Sequence, residues 1–206
     1  MALMSKAASG GGGFEPIPEG THLARCVTVV DLGLQETEWG GKISFKHKVY
    51  VAFEVPAVRV KWTDKDDVEH EGAALAGQMY TNSIYEKANL GKHLIGWRGR
   101  AFSKEEEKGF DLFTILDKPC QISIAHNQSG DKTYANISGI VGLPPGVEVP
   151  ARETDILAYT PSDPEKAKNF DKLPDWMKNK IGEAVEEKDV EPEPPEADTF
   201  DDDIPF

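Results

Sequence analysis

Long apolar runs are missing from this sequence. A membrane-spanning helix needs about 18 or more consecutive apolar residues, and no stretch approaches that. Residues 1–13 hold no apolar core of the kind a secretory leader uses, and residues 10–13 are four glycines, so the segment reads as a flexible lead-in. Cysteine is scarce. The two present, Cys26 and Cys120, each lie in an apolar, strand-like stretch. They read as buried, reduced thiols of a cytoplasmic chain.

Catalytic signatures are also missing. His22, His47, His70, His93 and His126 are scattered, with no His-Glu-x-x-His and no Cys-x-x-Cys, so a zinc site is not expected. Gly41-Lys42 is followed by Ile43, which lacks the hydroxyl that a P-loop places on magnesium, and the upstream glycine spacing is wrong. The carboxylates of Glu105, Glu106 and Glu107 form a run, as do those of Asp201, Asp202 and Asp203. A two-metal nuclease needs carboxylates converging from separate elements. No nucleophile–base pair stands out. The expectation is a protein that is not an enzyme and carries no cofactor and no metal.

What is present in excess is negative charge, and it is unevenly placed. The 206 residues carry a net −13. Residues 183–206 hold eleven Asp and Glu against one Lys, whereas residues 1–150 hold 16 Lys and Arg against 19 Asp and Glu. The body is therefore nearly neutral and can present a local basic face. The tail is too charged and too poor in apolar residues to offset chain entropy by burial, so it is expected to be disordered. Length and composition allow one domain of up to about 150 residues, with appendages.

The tail ends on Asp201-Asp202-Asp203-Ile204-Pro205-Phe206. An acidic tail that served solubility alone would need no apolar ending. Acids followed by a stiffened Pro-Phe terminus suit docking: the Phe206 ring fills a pocket, its α-carboxylate meets a cation, and the aspartates add attraction. These six residues match, at every position, the C-terminal tip of bacterial single-stranded-DNA-binding proteins, and the chain resembles that family. The segment Trp97-Arg98-Gly99-Arg100-Ala101-Phe102, with Phe110-Asp111-Leu112 and Cys120, also resembles phage-encoded proteins thought to bind single strands. The resemblance implies sequence-non-specific binding and protection of single-stranded DNA during replication, recombination or repair. It also implies recruitment of partner enzymes through residues 201–206. The compartment implied is the cytoplasm of a bacterial host. An adaptor or decoy that fills tip-binding pockets without coating DNA is the alternative.

The body supplies a β-rich pattern. Residues 21–34 read as a first strand, followed by a polar turn over residues 35–41 with Trp39 at its tip. Residues 42–55 read as a second strand, ended by Pro56. Its Phe45, Val49, Val51 and Phe53 share a core face with His47, while Lys46, Lys48 and Tyr50 share the other face with Ala52 and Glu54. Two cations beside an aromatic place that second face outside the core. Residues 58–63 alternate and, with the acidic turn 64–67, form a hairpin extension. Residues 74–85 read as a strand and residues 88–97 as a helix, with Trp97 on its core side. Ser103 to Glu106 has the form of a helix cap. Residues 119–126 and 132–141 are late strands, with Ile122, Ile124, Ala135, Ile137 and Val141 inward. The order predicts a mainly β, five-stranded Greek-key OB-fold barrel with a helix between the third and fourth strands. The expected divisions are a flexible 1–13, a barrel over 14–150, a linker with a short amphipathic helix over 151–182, and the tail 183–206. The helix near Trp176, Met177 and Ile181 is expected to pack on the barrel or a neighbouring subunit, or to serve as a second partner motif.

Single-strand binding without sequence preference uses cations along a groove and aromatic faces for stacking, each stacked base worth about 1–3 kcal/mol. The candidates are Lys46, Lys48 and Tyr50 on the second strand, Trp39 and Lys42 at the turn, and Arg59, Lys61 and Trp62 on the hairpin. Tyr80, Tyr134, Arg98 and Arg100 complete the set. Trp62 has the parity of Val58 and Val60 and reads equally as a cover for the hairpin. Tyr80 and Tyr134 read equally as rim residues. A tail of about 24 residues spans roughly 25–30 Å, so it reaches a groove on its own body and competes there with phosphate. The partners implied are single-stranded DNA and replication, recombination or repair proteins. A homo-oligomer is compatible with this reading, and no membrane contact is expected.

Overall fold

The computed structural model describes residues 16–63, 67–129 and 132–185. The tail from residue 186, including the expected partner tip Asp201, Asp202, Asp203, Ile204, Pro205 and Phe206, lies outside the described residues, as does the expected lead-in 1–13.

Among the described residues the chain is mainly β. The elements run β1 (Gly20–Trp39), β2 (Lys42–Thr63), β3 (Glu69–Thr81), α1 (Asn89–Arg98), β4 (Pro119–Ser129), β5 (Lys132–Val141), β6 (Leu157–Tyr159), α2 (Pro164–Ala167) and α3 (Asp175–Gly182). Short 3-10 turns occur at Glu106–Lys108, Leu112–Ile115 and Phe170–Lys172. Five strands form one antiparallel path, β3-β2-β1-β4-β5, and β6 adds in parallel beside β1. Six strands stand where five were expected, because the supposed linker contributes one. The helix does fall between the third and fourth strands. None of the described helices is long and apolar enough to cross a membrane.

β1 is the axis of the sheet and changes partner along its length. From Gly20 to Arg25 it pairs with β4, and from Arg25 to Trp39 with β2. A bulge near Val27 lets it bend where the partner changes, and a second near Leu32 interrupts the pairing with β2. The hairpin to β2 closes on Gly40 and Gly41 alone, both at positive φ, as a two-residue primed turn requires. The polar turn predicted over residues 35–41 is thus mostly strand: Thr37 and Ser44 share a 2.8 Å hydroxyl hydrogen bond across it. Pro56 does not end β2. It sits in a bulge between the Val55–Ala74 and Arg59–Ala73 pairs, where its missing N–H costs no ladder bond.

The inner face of the curled sheet holds the main core. Cys26, Val29, Val49, Val51, Phe53, Ala76, Tyr80, Ile122, Ile124, Ile137 and Ile140 pack with Leu90 and Leu94 of α1 and with Leu112 and Ile115. Trp97 packs against this core as expected: its Nε1 donates to the Pro119 carbonyl at 2.9 Å and its ring lies 5.6 Å from Phe53. Val141, expected inward, is exposed. An extra residue in β5, between the Ser123–Gly139 and Ile124–Ile137 pairs, shifts the phase and turns Ile140 in instead. Cys26 and Cys120 are buried thiols outside any disulfide, and burial pushes the Cys120 thiol up to about 12.

The opposite face of β1 and β2 is covered as well. Val30, Leu32, Tyr50 and Ala52 form a second core with Tyr159, Leu173 and Met177, flanked by Met79, Leu157, Trp176 and Ile181. The C-terminal segment is fastened here by polar contacts too. Glu54, fully buried, accepts from the backbone N–H groups of Glu153 (3.0 Å) and Thr154 (2.6 Å). Gln35 donates to the Lys180 carbonyl at 2.9 Å, and the Val185 N–H donates to the Leu34 carbonyl at 2.9 Å. Thr160 donates to Asp31 at 2.9 Å, and Asp31 also bonds His47 at 2.6 Å. Burial pushes the Asp31 carboxyl up, but the His47, Gly33 and Thr160 hydrogen bonds and the His47 charge outweigh it and hold it below the usual range.

His93 of α1 shares a 2.9 Å hydrogen bond with Tyr80. Burial pushes the His93 imidazole below its ordinary value, and the Lys92 charge adds to this against a backbone bond at Ser138. The folded state therefore holds fewer protons than the unfolded chain just below the ordinary histidine pKa of about 6.5. Stability is full above that value and falls as pH drops through it. Urea midpoints are expected to decline from about pH 7.5 to about pH 5.5, and to decline less in His93→Phe. An unchanged slope in that variant would assign the dependence to other groups.

Candidate nucleic-acid interface

Lys48 and Tyr50, expected on an open face, are buried. Lys48 is 4% exposed and Tyr50 9%. For Tyr50 the reason is tertiary: α3 lays Trp176 edge-on to its ring, with centroids 5.1 Å apart. Tyr50 in turn lies against β3, where a Cβ at Gly77 would come within 1.7 Å of its hydroxyl, so only glycine fits there. Burial pushes the Tyr50 phenol upward. Lys48 is accommodated by a 3.0 Å hydrogen bond from its Nζ to the Thr81 hydroxyl. Lys46, nearer the turn and opposite Gln35, is half-buried. Lys42 is exposed and pairs in register with Trp39 at the end of the ribbon.

Tyr80, expected to face a DNA strand, is buried too. At 1% exposure it is a core residue, its parity set by its pairing with Val49 of the inner face. Tyr134 is half-buried on β5 opposite Asn127.

The hairpin of β2 and β3 projects past the bulge and carries Arg59, Lys61 and Trp62. Arg59 pairs with Glu153 at 2.7 Å and with Glu71 at 3.5 Å, and Lys61 lies 3.8 Å from Glu71. The Glu153 hydrogen bond raises the Arg59 guanidinium, and Arg59 lowers the Glu153 carboxyl. Trp62 stacks on His70 at 5.5 Å with 19° between rings and covers Gly72, yet remains 38% exposed. It therefore covers the hairpin, as one of its two readings has it, and leaves part of its ring at the surface.

Arg98 and Arg100 meet a carboxylate that sequence reasoning did not pair with them. Arg100 holds Glu106 through two bonds of 2.8 Å, and Arg98 bonds the same carboxylate. The Ser103 N–H donates to Glu106 at 2.9 Å, and the Glu106 N–H to the Ser103 hydroxyl at 3.3 Å, the reciprocal capping box its spacing announced. It starts only a single 3-10 turn because Gly109 follows. The Arg100 hydrogen bond, with Ser103 and the Arg98 charge, holds the Glu106 carboxyl down to about 2.

The candidates thus fall into separate patches. The β2–β3 hairpin and the β4–β5 hairpin both run past the N-terminal end of β1, whereas Trp39 and Lys42 lie at its other end. No three His, Cys, Asp or Glu side chains among the described residues converge as metal ligands. Neither known family models nor curated proteins match this chain.

Proposed function

We propose that the protein binds single-stranded DNA without sequence preference and recruits replication, recombination or repair enzymes through Asp201-Asp202-Asp203-Ile204-Pro205-Phe206. The single observation that carries this reading is that hexapeptide, set behind an acidic, proline-rich tail. The fold is compatible with it. A bent β1 shared between β2 and β4, with α1 between the third and fourth strands, is what an OB-type barrel uses, and that fold serves single strands widely. On this reading the strand contacts come from the exposed set: Lys42, Arg59, Lys61, Trp62 and Arg100.

A second reading is an adaptor that offers the terminal peptide to enzymes without coating DNA. The burial of Lys48 and Tyr50 and the carboxylates on Arg59, Arg98 and Arg100 favour it.

Titration of fluorescent oligo-dT across a salt series, beside duplex DNA of equal length, separates the two. A binder is expected to prefer the single strand, with a log–log slope of about −0.7 per phosphate contact. A chain ending at Val185 is expected to bind more tightly at low salt, since the acidic tail no longer competes. Absence of binding by both chains at low salt would leave the adaptor.

A further inference from the structure

Arg98, Arg100 and Ser103 build an anion seat whose occupant is part of the chain. Two guanidinium groups and one backbone N–H converge on the Glu106 carboxylate. Arg98 is held in place from behind. It ends α1, and its guanidinium lies over the Phe102 ring at 4.4 Å and the Phe110 ring at 5.1 Å. Those rings brace one another at 5.2 Å. Glu106, by contrast, sits on a one-turn 3-10 helix with no buried residue, so its departure uncovers no core. The seat is also incompletely filled. Arg98 Nη1 is buried and has no hydrogen-bond partner. A carboxylate offers acceptors in one plane, whereas a phosphate offers them tetrahedrally and so has an oxygen free to turn toward that orphan donor.

We propose that Arg98, Arg100 and the Ser103 N–H form a phosphate-binding clamp in which Glu106 stands in as an internal anion until a phosphate displaces it. The ligand class is a phosphate group, either a phosphodiester of a nucleic-acid strand or a free inorganic phosphate species. The strand form rests on the single-strand reading above. The carboxylates on either side of Glu106 in the chain are not bonded to the seat: Glu105 is engaged by Lys108 at 3.0 Å, and Glu107 is exposed. Arg100 is more than half exposed, so a phosphate reaches the seat from the Arg100 side, where the ion pair with Glu106 is solvent-screened, while Arg98 stays largely covered.

The test uses the full chain, Glu106→Gln, and Glu106→Gln combined with Arg100→Gln. Glutamine keeps the capping box and removes the competing charge, so the turn survives. Urea midpoints establish that each variant folds. Calorimetric titration with inorganic pyrophosphate is expected to show Glu106→Gln binding at least about tenfold more tightly than the natural chain, with the gain lost in the double variant. Fluorescent oligo-dT is expected to follow the same order. No gain for pyrophosphate, or a gain that survives loss of Arg100, overturns the clamp. A gain for pyrophosphate without one for oligo-dT assigns the clamp to free phosphate species and overturns its role with a strand. If oligo-dT binds none of the three proteins while the pyrophosphate gain stands, the single-strand reading falls and the clamp does not.

Discussion

A chain ending at Pro150 is expected not to fold cooperatively, while a chain ending at Val185 keeps the stability of the whole. The first cut strips the layer that covers Val30, Leu32, Tyr50 and Ala52 and removes Tyr159, Leu173 and Met177. Each large apolar side chain fully buried stabilises by about 1.5–3 kcal/mol, so the lost layer contributes roughly 10 kcal/mol. That is comparable with the whole stability of an ordinary domain, about 5–15 kcal/mol. The cut also leaves the buried Glu54 carboxylate without the Glu153 and Thr154 N–H groups that satisfy it, which is costly for a charge out of water. Circular dichroism melts of both chains check this. A sharp, unshifted transition for the shorter chain would show that residues 151–182 are an appendage after all.

Replacing Tyr50 by alanine is expected to lower stability by about 3–5 kcal/mol, the range for truncating a buried aromatic. The ring fills the space between Trp176 and Gly77, and its removal opens a cavity in the second core. Tyr50→Phe, which keeps the ring, is expected to lose less than about 1 kcal/mol. The result bears directly on function. Lost DNA affinity in Tyr50→Ala would report unfolding rather than a missing stacking platform, so Trp62→Ala is the cleaner probe of stacking. Urea unfolding of the Tyr50 variants decides the matter: a midpoint unchanged in Tyr50→Ala would return Tyr50 to the surface.

Several features were legible in the residues because local rules set them. The Val and Phe alternation along β2 marks Val49, Val51 and Phe53 as inward, and they are buried. Ser103 and Glu106 announce a capping box by their spacing alone, and the box forms. Leu90 and Leu94 lie one helical turn apart and face the core. The errors lie where alternation meets an interruption. An extra residue in β5 exchanges Ile140 for Val141, and a bulge at Pro56 lets one strand continue where a stop was expected. Bulges follow from how two strands pair, which neither strand declares by itself.

The parity of Lys46, Lys48 and Tyr50 puts them on the face opposite the main core, but parity does not say what lies beyond a face. Trp176, Met177 and Ile181 announce an apolar helical side without naming its partner, and more than a hundred residues separate them from Tyr50 in the chain. Only the folded molecule brings the two together. The same holds for the charges: Arg59 with Glu153 and Arg25 with Asp117 are pairings across the fold. The β-rich body, the inward set of β2, the position of the helix and the charge division between body and tail all follow from the order of the amino acids. They depend on composition and on periods of two and 3.6 residues, which any segment carries within itself. Which faces are open and which cations are already paired is settled only on folding, because burial and long-range ion pairs depend on what arrives from elsewhere in the chain.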